Sequence, residues 1–214
     1  MNPESETTTA ILEAAECLVR TGGYGALDHE EVAKLAGCAP GQVHMGYPER
    51  VDLGVAVARR YTESVLSSLG APDDRSVSPV DRLQWLIRML RRTLGEDGRI
   101  CPCAALAGEA ASVPPAVAAE VRRYLDRIGG WIARLIGQGT AGPETRAKAM
   151  RVVATLQGAL VMARLERDPG LYDQITAGLA REALRVPPRS VGQANAERPW
   201  PSRPRIDERA VSAF

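Results

Sequence analysis

Apolar side chains recur along most of the chain at intervals of three and four residues, which is the period of an amphipathic α-helix. In the segment "TTTAILEAAECLVRTGG" this pattern places five apolar residues on one face: Ile11, Ala14, Ala15, Leu18 and Val19. We expect a threonine among residues 7–9 to cap the start of this helix, and Gly22 and Gly23 to end it. No stretch alternates with the period of two that a half-buried strand requires. The pattern therefore predicts an all-α protein.

Two short helices joined by a tight turn follow the first one. The segment "DHEEVAKLAG" opens with Asp28 in the capping position, has Glu31 three residues later and ends at Gly37. Its inner face is predicted to consist of Val32, Leu35 and Ala36. In "APGQVHMGY", Pro40 suits the first position of a third helix. Three short helices with a glycine-containing turn are typical of a helix-turn-helix DNA-binding domain.

Longer helical patterns fill the middle of the chain. A fourth helix is predicted to begin at Pro48 and Glu49, and a polar loop covers residues 71–79. The amphipathic segment "VDRLQWLIRMLRRTL", a small-residue helix "CAALAGEAASV" and three further helical segments come next. We predict a helix-turn-helix domain at residues 1–48 and a larger helical domain at 49–185. Residues 186–214 are rich in Pro and Arg and are predicted to form a disordered tail.

The composition also predicts where in the cell the protein is found. Hydrophobic residues make up 45% of the chain and charged residues 25%, which is ordinary for a globular protein. No apolar run approaches the roughly 20 residues of a membrane span. The sequence opens with the acidic, polar "MNPESETTT" rather than with a basic and then apolar signal. We therefore expect a cytoplasmic protein, no contact with a membrane, and four reduced cysteines.

The charge distribution does not favour DNA binding. Residues 1–60 contain five Lys or Arg against nine Asp or Glu, a net charge of −4, while residues 61–214 carry +5. A protein that binds the phosphate backbone is expected to be basic where it touches DNA. The helix-turn-helix could therefore be an active DNA reader or a motif retained for its packing.

The segment "ILEAAECLVRTGGYGALDHEEVAKLAGCAPGQVHMGYPERVDL" resembles the N-terminal domain of the TetR family of transcriptional regulators. The match covers residues 8–60 and rests on "I-L-x-A-A", "G-G-Y", "V-A-x-x-A-G" and "G-x-V…Y-P-x-R-x-x-L". The resemblance implies a dimeric one-component regulator, in which a larger helical domain binds a small-molecule effector and forms the dimer.

The resemblance also implies where DNA would be contacted. The family positions in the third helix and at the start of the fourth are occupied here by Ala39, Pro40, Gly41, Gln42, His44, Tyr47 and Arg50. Gln42 stands where Thr is common, His44 where a phosphate-contacting Tyr is usual, and Arg50 where Lys is usual. Gly46 and Leu27 depart from the family pattern, which removes a usual His and a hydroxyl. For Tyr24 and Tyr47 the alternative is a place in the core.

Two cysteines in "GRICPCAAL" form the second candidate site. In some TetR subgroups a cysteine in this region senses electrophiles or oxidants, so the resemblance implies a thiol sensor at Cys101 or Cys103. A helix N-terminus and a nearby cation such as Arg99 would favour the thiolate. The alternative is that both are small buried residues facing a ligand cavity. Metal binding would need a further ligand, and we predict neither a metal nor a cofactor.

The resemblance places an effector pocket among the middle helices. Its candidate lining residues, besides Cys101, are Trp85, Met89, Cys103, Leu106, Tyr124, Trp131 and Met162. Helices near 144–167 and 170–184 are expected to form the homodimer, with Ala154, Gly158 and Ala159 allowing close approach.

These features predict a transcriptional regulator rather than an enzyme. We expect a repressor that leaves a palindromic double-stranded DNA operator when a small-molecule or thiol-reactive effector binds. The alternative is a TetR-like module that binds a small molecule or a protein and has weak or lost DNA binding. No phosphate loop, zinc spacing or nucleophile motif indicates catalysis.

Overall fold

The computed structural model describes residues 3–74, 76–95 and 99–185, and within these ranges the chain is helical without a β-strand. The all-α prediction is confirmed. The helices are α1 (Pro3–Gly22), α2 (His29–Ala36), α3 (Pro40–Gly46), α4 (Arg50–Leu69), α5 (Pro79–Arg92), α6 (Pro102–Gly108), α7 (Pro115–Ile136), α8 (Pro143–Glu166), α9 (Pro169–Thr176) and α10 (Leu179–Ala183). The tail predicted for residues 186–214 lies outside the described residues. Within the described ranges, every helix is too short or too polar to span a lipid bilayer.

The first helix begins earlier than its sequence suggested. It starts at Pro3, so the prediction of a threonine cap among residues 7–9 is wrong. Proline is well placed at the first position of a helix, where its missing N–H costs no hydrogen bond, and the polar residues that follow continue the helix. Its end is as predicted, because α1 stops at Gly22 and Gly23 has a φ of 72°.

Local capping chemistry fixes the second helix. One Asp28 carboxylate oxygen accepts hydrogen bonds from the backbone N–H groups of Glu30 and Glu31, at 2.9 and 3.2 Å. Gly37 ends the helix in the left-handed conformation. Val32 is buried as predicted, but Leu35 is 54% exposed, and the buried neighbour of Val32 is Ala33. Leu35 was wrongly predicted to face inward, because the buried face of this short helix centres on residues 32 and 33.

Helices α7 and α8 form the centre of the larger part of the molecule. They are joined by residues 137–142 and pack against each other, with α4 against α7 and α9 against α8. At Gly129 an added Cβ would lie 3.0 Å from the Met150 sulfur. The glycine therefore allows the close approach of α7 to α8.

A buried arginine joins the first three helices to the larger part. Arg20 is 2% exposed, and its guanidinium donates to the carbonyl oxygens of Ile100, at 3.2 Å, and Thr93, at 3.1 Å. The Ile100 N–H donates back to the Arg20 carbonyl at 3.3 Å. These bonds connect the end of α1 to the segment between α5 and α6.

Two further contacts hold the same end of α1. The Tyr24 N–H donates to a Glu109 carboxylate oxygen at 3.2 Å, just beyond α6, and Arg164 of α8 donates to the Thr21 carbonyl. A Cβ on Gly23 would lie 1.5 Å from the same Glu109 oxygen, and the φ of 72° at this position also favours glycine. The turn after α1 is thus fixed against both α6 and α8.

Replacement of Arg20 tests the joint, by which we mean the contacts between the end of α1 and the segment between α5 and α6. We expect Arg20→Ala to lower the free energy of unfolding by about 2–4 kcal/mol, because the change leaves buried carbonyls without donors. Urea unfolding followed by circular dichroism measures the effect. The control is Arg91→Ala, which removes an exposed ion pair with Asp173 and should cost less than about 1 kcal/mol. Equal small losses in the two variants would show that Arg20 does not anchor the joint.

Candidate DNA-reading face and effector core

The third helix is held by one buried side chain and otherwise faces outward. Val43 is fully buried where α3 packs on α2, and Pro40 occupies the first helical position as predicted. Of the seven residues that the resemblance assigns to DNA contact, one, Tyr47, is half-buried. The other six are exposed: Ala39, Pro40, Gly41, Gln42, His44 and Arg50. Sequence and structure therefore bring these seven residues onto one end of the molecule.

Gln42 has a structural bond in addition to its predicted role. Its side-chain oxygen accepts a hydrogen bond from the Ala39 N–H at 3.0 Å, which caps the start of α3. The amide nitrogen of the same side chain remains directed away from this bond. A bidentate contact with an adenine edge uses both the oxygen and the nitrogen, and the oxygen has a second lone pair with which it can accept while the cap is kept.

Two histidines stack across α2 and α3. The rings of His29 and His44 are 4.1 Å apart and nearly parallel, with an interplanar angle of 3°. His29 Nε2 donates to the Tyr47 carbonyl at 2.7 Å, which assigns the proton to that nitrogen. His29 thereby fixes both the end of α3 and the orientation of the His44 ring. The sequence identified His44 but gave no role to His29.

The two tyrosines differ in exposure. Tyr24 is 6% exposed, as the core alternative predicted, and the Arg50 guanidinium lies 4.7 Å from the centre of its ring. That contact holds Arg50 at the start of α4. Tyr47 is half-buried, and burial raises the pKa of its hydroxyl.

Acidic side chains surround this face. Asp28, Glu30, Glu31 and Glu49 are all exposed on or beside α2 and α3. The Lys34 ammonium is 3.6 Å from the Glu31 carboxylate, so this acid offsets part of the positive charge of Lys34. The low positive charge noted in the sequence is therefore also found on the surface that would approach DNA.

A cluster of thiol, phenol and amide groups lies inside the larger part. Cys101 precedes α6 and is fully buried, with its sulfur 3.8 Å from the Tyr124 hydroxyl. The Gln157 amide nitrogen donates to the same hydroxyl at 3.5 Å, and the Tyr61 ring lies 5.6 Å from the Tyr124 ring. Cys103 is also buried. We call these five residues the thiol cluster.

The cluster makes the two cysteines chemically different. Burial raises the pKa of the Cys101 thiol, but hydrogen bonds from Cys103, Tyr61, the Ala104 N–H and Tyr124 outweigh it and lower the pKa to about 7. Burial, and the Cys101 sulfur beside it, raise the pKa of Cys103 well above its usual value. Of the two, Cys101 is thus the thiol that ionises more readily, and Cys103 is a donor to it.

Sequence reasoning missed two members of the thiol cluster, Tyr61 and Gln157. Among the described residues no donor reaches the buried Gln157 side-chain oxygen. The signal for Gln157 was a lone amide inside the apolar run "VVATLQGALV". Tyr61 carries no such signal, because it lies among the apolar positions of α4.

The other predicted pocket residues do not all join the thiol cluster. Leu106 is buried, Met89 is half-buried, and the half-buried Trp85 ring has the Arg92 guanidinium 5.3 Å from its centre. Trp131 is 4% exposed, but its indole N–H donates to the Gly70 carbonyl at 2.8 Å, at the end of α4. Met162 is 52% exposed, so its predicted pocket position is wrong. It lies on the outer face of α8.

No group of three or more His, Cys, Asp or Glu is positioned to hold a metal ion within the described ranges.

An exposed third helix that is fixed to a larger helical part is the arrangement found in helix-turn-helix regulators. Comparisons with known proteins agree with this class. A family model described as the C-terminal domain of LmrA/YxaF-like transcriptional regulators matches residues 79–177. The HTH-type transcriptional repressor KstR of Rhodococcus jostii (strain RHA1) is 27% identical over 175 residues, which is 80% of this chain and 79% of that protein.

Solved structures share the fold over most of the chain. A TetR transcriptional regulator from Legionella pneumophila has a TM-score of 0.76 and 21% identity, and covers 85% of this chain and 97% of its own. A TetR-family regulator from Agrobacterium tumefaciens has a TM-score of 0.74 and 24% identity, with 85% and 98% covered. The chain therefore has the fold of solved TetR-family regulators, and its residues 79–177 match a C-terminal domain model of such transcriptional regulators.

The pKa of Cys101 can be tested by titration. We expect thiolate absorbance in the ultraviolet to appear with a midpoint near pH 7, and Cys101→Ser to remove this step. Because the folded-state pKa is below the usual 9.0, the associated stability is present above pH 9 and is lost as the pH falls through 7. Cys17→Ser, a half-buried cysteine on α1, is the matched control and should retain the step. A first thiolate step near pH 9 would contradict the assignment.

Proposed function

We propose that the chain is a dimeric, cytoplasmic repressor that binds a palindromic DNA operator through α3 and is released by an effector. The observation that carries this proposal is the arrangement of α3, which buries Val43 and exposes Gln42 and His44. A helix held in this way can enter a major groove with its N-terminal residues toward the base edges. The relative KstR, named as a transcriptional repressor, supports the sign of regulation.

The outer face of α8 supports a dimer. Apolar and small residues follow one another on this face at intervals of three or four: Met150, Ala154, Gly158, Val161, Met162 and Leu165. Four of them are large side chains exposed by 45–79%. An apolar stripe of this kind is expected to be covered by a partner, and a second copy would cover it with the same face.

The predicted second dimer helix is divided in the structure. Residues 170–184 contain all of α9 after its first residue, a break at Ala177 and Gly178, and α10. Ala159, predicted to face the partner, is buried within the chain, whereas Ala154 and Gly158 are exposed. We therefore propose that α8 forms most of the interface. Two α3 helices would then face DNA about 34 Å apart, one turn of the duplex.

The thiol cluster supports an effector-sensing role for the larger part. It contains a thiol with a lowered pKa, two phenols and a buried amide oxygen that no described donor reaches. Cys101 follows Ile100, whose backbone holds Arg20, and α6 leads to Glu109, which holds the turn after α1. A ligand or adduct at Cys101 would therefore act directly on the joint that sets the position of α3.

A second candidate function is a ligand-binding module with weak DNA affinity. The exposed acids beside α3 favour it, since they repel phosphate. A dimer would make each DNA contact twice, which offsets this repulsion. Backbone N–H groups also bind phosphate. The family is one of regulators, and we propose no catalytic step.

Operator binding tests the DNA-reading face. We expect Gln42→Ala with Arg50→Ala to weaken binding at least about a hundredfold, because each lost contact is worth roughly 1–3 kcal/mol and occurs in both protomers. Fluorescence anisotropy with DNA from upstream of the chain's own gene, at several salt concentrations, measures it. Arg88→Ala on α5 is the control and should bind like the wild type.

A scrambled duplex decides between the two candidate functions. Sequence-selective and salt-sensitive binding by the wild type supports the repressor. Equal, weak binding to both duplexes would favour the ligand-binding module.

The dimer face is tested by charge. We expect Val161→Arg with Leu165→Arg to give a monomer in analytical ultracentrifugation, because four guanidinium groups would meet in the interface of each dimer. Operator affinity should fall with it. Ser67→Arg, an exposed residue on α4, keeps the charge change away from α8 and should leave the dimer intact. A dimer that persists in the double variant would exclude this face.

A further inference from the structure

A cleft lies at the end of the molecule opposite to α3. It has a volume of about 600 Å³ and is bounded by the end of α4, the loop that follows, the C-terminal half of α7 and the start of α8. Helix α4 has 20 residues and is therefore about 30 Å long, so the cleft is far from the DNA-reading face. The residues that matter here are Leu66, Asp73, Arg127, Trp131, Arg134 and Arg146.

The walls of the cleft are fixed. Trp131 is bound to the Gly70 carbonyl, as described above, and forms an apolar wall with Leu66. The loop after α4 is held by Arg82, which is 2% exposed and donates to the carbonyls of Ala71, Asp74 and Val77. The cleft is thus shaped before any ligand enters, which reduces the entropic cost of binding.

The charges of the cleft favour an anion. Arg127 is paired with Glu63. Across the described ranges, no carboxylate lies within 4.0 Å of the guanidinium groups of Arg134 or Arg146. Glu144, two residues from Arg146, pairs with Lys148 at 2.7 Å instead. Asp73 is the one acid among the residues named for the cleft, so two unpaired arginines remain for a ligand.

We propose that this cleft binds an organic anion with an apolar body. Its carboxylate or sulfonate would lie between Arg134 and Arg146, which bind such groups through paired N–H donors, and its body would contact Trp131 and Leu66. A volume of about 600 Å³ is within the range of small-molecule sites.

The position of the cleft also suits an effector site, and this part of the inference rests on the proposed function. The cleft joins the end of α4, the helix that directly follows α3, to the start of α8, which carries the proposed dimer face. An anion that draws Arg146 and Arg134 together would act on α8 relative to α7. The spacing of the two α3 helices in the dimer depends on both.

Isothermal titration calorimetry on the full chain without DNA tests the site, with decanoate as the probe. Nonyltrimethylammonium, which has the same nine-carbon alkyl chain and the opposite charge, is the ligand control. We expect decanoate to bind and the cation not to bind. We expect Arg134→Ala with Arg146→Ala to weaken decanoate binding at least tenfold. Arg122→Ala, an exposed arginine on α7 outside the cleft, should leave it unchanged.

Three outcomes would overturn the site: no decanoate binding, equal binding of the two probes, or equal binding by the wild type and the double variant. Operator anisotropy with added decanoate then tests the effector role. Decanoate that binds the cleft and leaves operator affinity unchanged would overturn that role alone. A wild-type chain that binds no operator would refute the proposed function, and the calorimetry would still decide the site.

Discussion

The position of the DNA-reading helices depends on a guanidinium buried at the end of α1. Arg20 binds carbonyls on both sides of the segment between α5 and α6, and its own carbonyl receives the Ile100 N–H. A charge with so little access to water is tolerated because its donors are used by main-chain oxygens. Without these bonds the end of α1 would be held to the larger part by the Tyr24–Glu109 and Arg164–Thr21 bonds and by apolar packing. With them, a shift of the α5–α6 segment is passed to α1 and to the helices packed on it.

The parts of the fold that depend on neighbouring residues were predictable from the sequence. The Asp28 cap, the Gly37 end and Pro40 at the start of α3 are each decided within a few positions by backbone chemistry. Leu35 was wrongly placed because helical spacing gives a face, but the width and centre of that face depend on what packs against it. The early start of α1 was missed because its polar first turns carry no apolar period.

In the candidate sites, too, some features could be predicted from the sequence and others depend on how the helices pack. Family resemblance selected the residues of α3 and also Cys101, Cys103 and Tyr124, which are all buried in the structure. Spacing alone could not separate Trp131 from Tyr124, although two helical turns place them about 10 Å apart along α7. Tyr61 and Gln157 come from helices far away in sequence, and their meeting with Cys101 is a property of the packing.

The loop beside the cleft owes its shape to Arg82, which binds the loop's main-chain oxygens and one side chain, that of Asp74. Carbonyl groups are present whatever the amino acid, so most loop positions can change identity while the backbone path is kept. Over evolutionary time such a loop can exchange the side chains that it presents to the cleft without loss of folding. The ligand preference of this chain's lineage can therefore diverge faster at this wall than at the thiol cluster, where every substitution alters the buried core.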